Sequence, residues 1–201
     1  MAKKKPWNPN VNHPIKGSTV KVEPIRDPED IKRIKKMLAD KPRDLCLFVL
    51  GVNTNLRASD LLKITAGQVR DLQPGDEIAI NETKTKKPRR ITLNKPVVAS
   101  IQGLLASRDY QDKDHLFISQ RGTLTVPSVH RLVKTWCRSI GLKGNHGSHT
   151  LRKTFGYQQR VKFGTGLPEL MVTFNHSTQR QTLEYLCIQP DEIRSIYNNE
   201  I

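Results

Sequence analysis

Ser148-His149-Thr150-Leu151-Arg152-Lys153-Thr154-Phe155-Gly156 is the stretch whose reading decides the fold, with Phe174-Asn175-His176-Ser177 and Tyr185-Leu186 behind it. His149 and Arg152 are three residues apart, so on a helix they share a face. Ser148 is expected as the N-cap, which puts both side chains in the first turn, where backbone N–H groups also favour an anion. Tyr185 follows His176 by nine residues and is expected on its own final helix, opened by a capping box at Thr178-Gln179-Arg180-Gln181. Two histidines, an arginine and a tyrosine in this order are the groups needed to hold a phosphodiester and attack it without a metal. An H-x-x-R pair alone arises by chance in many helices, so its weight depends on the rest of the chain.

The rest of the chain is strongly basic. Its 201 residues carry 34 Lys and Arg against 19 Asp and Glu, a formal charge of +15 that favours a polyanionic partner, most often nucleic acid. Aromatic residues make up only 5%, which weakens any reading built on base stacking. The length suits one well-buried domain. The longest apolar segment, Leu45 to Val52, is far short of the roughly 20 residues of a membrane span, so no membrane partner is expected. Met1-Ala2-Lys3-Lys4-Lys5-Pro6 has no apolar run behind it and does not read as a secretory signal. Cys46, Cys137 and Cys187 lie far apart without C-x-x-C spacing, which suits a reducing cytoplasm and argues against a zinc knuckle.

Residues 1–24 read as a basic, Pro-containing arm, either a solvated tail or a DNA-tracking segment. A helix is expected from Asp27-Pro28, with Ile31, Ile34 and Leu38 on one face. A buried helix follows through Leu45–Leu50, and another opens at Arg57-Ala58-Ser59-Asp60. Glu77–Asn81 and Arg90–Leu93 alternate around a polar turn, which predicts a hairpin carrying Lys84, Lys86, Lys87, Arg89 and Arg90. Helical patterns return at Pro96–Leu105 and at Val126–Ile140, with a brief strand expected at His115–Ile118 between them. Gly164 and Gly166 break the chain before a short helix at Pro168. The expected fold class is mainly α with a small antiparallel β-hairpin.

Attack on a phosphodiester builds negative charge on the nonbridging oxygens, which guanidinium groups stabilise with planar paired donors. A free tyrosine titrates near pH 10 and needs help to act as a nucleophile at pH 7, and the leaving 5′-oxygen needs a proton donor. Arg57, Lys84, His149, Arg152, His176 and Tyr185 together supply these roles. His146-x-x-His149 has no evident third ligand, so neither a metal nor another cofactor is expected.

These strings also resemble, in order and spacing, the motifs of the tyrosine recombinases, the phage integrase family. Asn55-Leu56-Arg57-Ala58-Ser59-Asp60-Leu61-Leu62 resembles the family's first arginine motif, and Lys84 on the hairpin turn matches its mobile lysine. The resemblance runs from about residue 25 to the end and implies a recombinase catalytic domain over 25–201. It implies that Tyr185 attacks the scissile phosphate to give a 3′-phosphotyrosyl bond and a free 5′-hydroxyl. Arg57 and Arg152 would clamp the nonbridging oxygens, His149 and His176 would assist, and Lys84 would protonate the leaving oxygen, a role that Lys86 or Lys87 could also reach. Asp60 would orient the helix of Arg57. Lys86, Lys87, Arg89 and Arg90 would contact DNA. The implied partner is double-stranded DNA, bound by a homotetramer, with a monomer possible away from DNA. The short arm is expected to stand in place of the family's N-terminal DNA-binding domain. Two departures bear on loop geometry: Asn55 and Asn175 stand where glycine is common in the family. A DNA-relaxing topoisomerase of the same chemistry, and a DNA-binding regulator that kept the fold without the reaction, are the other readings.

Overall fold

The computed structural model describes residues 21–84 and 86–200, so most of the expected basic arm lies outside the described residues. The core is built around helix α2 (Pro42–Thr54), whose Cys46, Leu47, Phe48, Val49 and Leu50 are all buried. Four helices surround it: α1 (Pro28–Met37), α3 (Ala58–Leu61), α4 (Lys95–Leu105) and α6 (Ser148–Phe163). Helix α1 begins as its sequence predicts, with Pro28 in the first turn and the Asp27 carboxylate accepting from Glu29 N at 2.8 Å. Helix α5 (Val126–Ser139) lays Val129, Val133, Trp136 and Cys137 against the same core, and Trp136 meets Phe48 edge-on at 5.9 Å between centroids. Helices α2 and α6 approach closely because Gly51 has no side chain; a Cβ there would lie 2.5 Å from a Leu151 methyl.

The predicted hairpin is present as β1 (Glu77–Asn81) paired antiparallel with β2 (Pro88–Thr92). Ile78, Ile80 and Ile91 face the core, as alternation requires. A strand at His115–Ile118 is not formed as expected. His115 makes an isolated bridge to Thr65, and the pairing moves on to β3 (Ile118–Ser119) and β4 (Gly122–Thr123), a two-residue hairpin.

The C-terminal helices form a second, smaller cluster. Leu170 and Phe174 of α7 (Leu167–Phe174) and Leu186 of α8 (Gln179–Leu186) are buried together, with Phe155 and Tyr185 packed on them. Gly164 ends α6 in the left-handed conformation, and Gly166 caps α7. Helix α8 is not the last. Another helix, α9 (Pro190–Ile196), follows and folds back on the same chain, where Arg160 of α6 makes a two-pronged ion pair with Glu192. Ile193 and Ile196 remain exposed on it. No helix among the described residues is long and apolar enough to cross a membrane.

Candidate active site

Most of the expected site residues sit at or beside the ends of elements, whereas Arg152 lies inside α6 with its side chain held by the protein. Helix α2 stops at Asn55, which adopts φ 55°. Asparagine enters this left-handed region more readily than most residues, so it fills a position that suits glycine. Asn55 is fully buried, and its Nδ2 donates to Thr173 O at 2.9 Å, tying α2 to α7. Arg57 follows as the N-cap of α3, and Asp60 within α3 accepts from Thr83 N at 2.9 Å. Asp60 therefore anchors the hairpin turn as well as the short helix of Arg57.

Helix α6 starts one residue earlier than expected. Gly147, not Ser148, is the N-cap, and Thr150 Oγ1 accepts from Gly147 N at 3.0 Å. The exposed His130 ring packs where a side chain on Gly147 would go, at 2.3 Å from an added Cβ, so a larger residue there would displace that ring. Ser148 is the first helical residue, and His149 and Arg152 still fall within the first turn and a half.

Arg152 is 1% exposed, an unusual place for a cation. Its guanidinium is held by two carbonyls, Nη1 donating to Asn55 O at 2.9 Å and Nη2 to Phe174 O at 2.7 Å. It lies over the Phe174 ring at 5.0 Å and the Tyr185 ring at 5.6 Å. Burial and the neighbouring Arg57 pull its pKa down to about 10. It is still charged at pH 7, and its Nε has no hydrogen-bond partner in the structure. A buried cation with a donor to spare is a ready anion site.

The nucleophile candidate lies beside it. Tyr185 Oη is 3.3 Å from His149 Nδ1. Burial, with Arg152 and Arg57 nearby, keeps His149 below its usual pKa and therefore neutral at pH 7. In the tautomer protonated on Nε2, Nδ1 accepts from the phenol. His176 follows Asn175, which ends α7 at φ 54°. Its Nδ1 is 3.1 Å from the buried Thr182 hydroxyl of α8, and its ring stacks on Phe174 at 5.1 Å. Burial and the same two arginines lower its pKa to about 4.

Arg57, Lys84, His149, His176 and Tyr185 line one cleft of about 700 Å³, open to solvent beside the hairpin turn. Arg152 lines an adjoining pocket with Arg57 and His149. Five of the six residues singled out in the sequence thus line one cleft, and the sixth, Arg152, lines the pocket that shares Arg57 and His149 with it. Lys87 lines the same cleft as Lys84, whereas Lys86 is exposed on the turn with φ 58°. Arg90 is exposed on the outer face of the hairpin, 3.5 Å from Glu77. Arg89 does not project outward as a DNA contact would. It points to the core face, with its side chain 13% exposed, its Nη1 3.2 Å from Glu82 and its Nη2 donating to Thr54 O at 3.3 Å. Strand alternation is the reason, because Arg89 shares its face with Ile91.

Sequence reading missed Glu82. Its side chain is completely buried, between Arg57 Nη1 at 3.1 Å and Arg89 Nη1 at 3.2 Å. The available signal was that Glu82 is the lone acid in the ten residues Asn81–Arg90, among five cations.

The Phage integrase family profile matches residues 26–192. The chain belongs to the phage integrase family. It is 36% identical over 181 residues to a Bacillus subtilis (strain 168) protein named "Probable integrase/recombinase YoeC", covering 88% of this chain and 95% of that one. It is 27% identical to tyrosine recombinase XerC of Caldanaerobacter subterraneus subsp. tengcongensis (strain DSM 15242 / JCM 11007 / NBRC 100824 / MB4), covering 79% of this chain but 45% of XerC. The chain therefore spans nearly all of one relative and less than half of the other. The structure of XerH site-specific recombinase bound to palindromic difH substrate, a post-cleavage complex, superposes with a TM-score of 0.70 at 20% identity, over 86% of this chain and 52% of XerH. At that identity the likeness shows the fold, which is that of the tyrosine recombinases.

Proposed function

We propose that this protein is a site-specific recombinase or integrase that cleaves and rejoins double-stranded DNA through a 3′-phosphotyrosyl intermediate. The observation that carries the reading is the Tyr185 hydroxyl 3.3 Å from His149 Nδ1, in a cleft shared with Arg57, Lys84 and His176.

The geometry supports a complete reaction. Neutral His149 takes the phenol proton as Tyr185 Oη attacks phosphorus. The Oη–P bond forms, the P–O5′ bond breaks, and Lys84 supplies the proton that O5′ needs. Arg152 and Arg57 face the charge that grows on the nonbridging oxygens; Arg152 is already fixed by its two carbonyls and needs no reorganisation. Neutral His176, oriented by Thr182, has Nε2 to offer the phosphate. The phosphodiester energy is kept in the protein–DNA bond, so a 5′-hydroxyl from a second duplex can reverse the step and exchange strands. Strand exchange requires several protomers, and we assign four, acting in pairs through a four-way junction.

The +15 charge, with Lys84, Lys86, Lys87 and Arg90 on or beside the hairpin turn, supports duplex DNA as the partner. The free thiols of Cys46, Cys137 and Cys187 support a reducing, cytoplasmic setting. The test is incubation with nicked duplexes tiled from the DNA flanking the gene. A detergent-resistant protein–DNA adduct is expected with the native protein and none with Tyr185→Phe. Salt-sensitive binding of many duplexes without an adduct from any would point to a DNA-binding regulator instead.

A further inference from the structure

The buried carboxylate of Glu82 has no role in the chemistry set out above, yet it touches Arg57 and the residue before His176, and its backbone closes the Lys84 turn. Glu82 follows β1 directly, and its own backbone closes the turn that carries Lys84, with its N donating to Lys87 O at 3.1 Å and its O accepting from Lys86 N at 2.9 Å. Its side chain runs the other way, into the protein, where it is 0% exposed. There one oxygen is 3.1 Å from Arg57 Nη1 and accepts from Asn175 Nδ2 at 3.1 Å, and the other accepts from Arg89 Nη1 at 3.2 Å. Asn175 is the left-handed residue that immediately precedes His176.

A buried ion pair is weak evidence for stability, because desolvating the charges offsets most of their attraction. A carboxylate at this place does something an apolar side chain would not. Its charge holds the Arg57 guanidinium beside a turn and a loop from two other parts of the chain, through an ion pair in which Nη1 makes no aligned hydrogen bond. Arg57 also lines both the main cleft and the pocket of Arg152.

We propose that Glu82 is a positioning residue for strand cleavage, which aims Arg57 at the scissile phosphate and joins the Lys84 turn to the His176 loop through Asn175. The inference rests on the strand-transferase reading. Glu82 acts through Arg57 and does not itself touch the phosphate.

The test uses the full chain and a nicked suicide duplex on which the native protein forms the adduct. Glu82→Gln keeps the shape and removes the charge. With Arg57 misaimed by a fraction of an ångström to an ångström, the single-turnover cleavage rate is expected to fall by about 100-fold, with duplex affinity little changed. A second substrate separates positioning from general damage. Replacing one nonbridging oxygen of the scissile phosphate by a neutral methyl group removes the charge that Arg57 must balance. On that substrate the gap between Glu82→Gln and the native protein should close. A gap of the same size on both substrates would overturn the proposal, and so would native cleavage by Glu82→Gln on the ordinary one. If Glu82→Gln does not fold, Asn175→Gly carries the test, since glycine accepts the backbone at φ 54° and removes only the amide. It is expected to slow cleavage several-fold, again with relief on the neutral substrate, and a native rate would overturn the proposal. Failure of the native protein to form any adduct overturns the strand-transferase reading and this proposal together, whereas the other outcomes leave that reading intact.

Discussion

At the residue scale the site is a set of charges and rings kept in unusual states by burial. The protonation of His176 can be followed without any substrate. Its folded pKa of about 4 lies below the value of about 6.5 for an unfolded histidine, so between these values the unfolded chain binds the proton and the folded one does not. This contribution to stability is fully present above pH 6.5 and is lost as the pH falls toward 4. His149 and His146 are shifted in the same direction by burial. The melting temperature is expected to fall between pH 7 and pH 5, and to fall less in His176→Gln; an equal drop in both proteins would show that His176 is not held neutral. Most of these residues were legible in the sequence, because order and spacing single out Arg57, His149, Arg152, His176 and Tyr185 without a structure. The two asparagines were legible only as departures. Asn55 and Asn175 prove to be the left-handed ends of α2 and α7, and each uses its amide to bind another element, which is a property of the assembled fold and not of either local string. Arg89 and Glu82 were hidden for a similar reason. A charged residue in a basic hairpin reads as solvated until the register shows that it faces inward.

At the element scale, periodicity and capping located the helices and the main hairpin well, since those signals are local. The boundary of α6 moved by one residue because Thr150 Oγ1 accepts from Gly147 N, which makes Gly147 the cap. At Thr178 the expected reciprocal cap is only half formed. Thr178 Oγ1 accepts from Gln181 N at 3.4 Å, while Gln181 Oε1 faces Ser177. Helix α9 was unforeseen, because seven residues give too short an apolar pattern to read. Its docking depends on one partly buried ion pair. Arg160 holds the Glu192 carboxyl below its usual pKa, and also donates to Leu186 O at the end of the Tyr185 helix. Removing the charge with Glu192→Gln is expected to cost about 1 kcal/mol of local docking, the upper end for an accessible ion pair. Amide exchange over residues 188–197 should then quicken roughly five-fold, with the exchange of α2 unchanged. No change at α9 would show that the pair does not hold it.

At the scale of the whole molecule, two clusters of side chains meet at the reacting groups. Arg57 and Arg152 are rooted in the elements of the large core, whereas His176 and Tyr185 are carried by the small C-terminal cluster of Leu170, Phe174 and Leu186. Arg152 spans their junction, with one carbonyl partner on each side. The proposed nucleophile is therefore carried by the small cluster, while the proposed phosphate-holding cations belong to elements of the large core. The proposed reaction rests on one bond, between Tyr185 and a DNA phosphate. Peptide mapping of the adduct on a nicked duplex tests it most directly. The account predicts a nucleotide remnant on Tyr185 alone, joined through a 3′-phosphate, and a released strand ending in a 5′-hydroxyl. A remnant on Tyr157 or Tyr197, or a released 5′-phosphate, would contradict it.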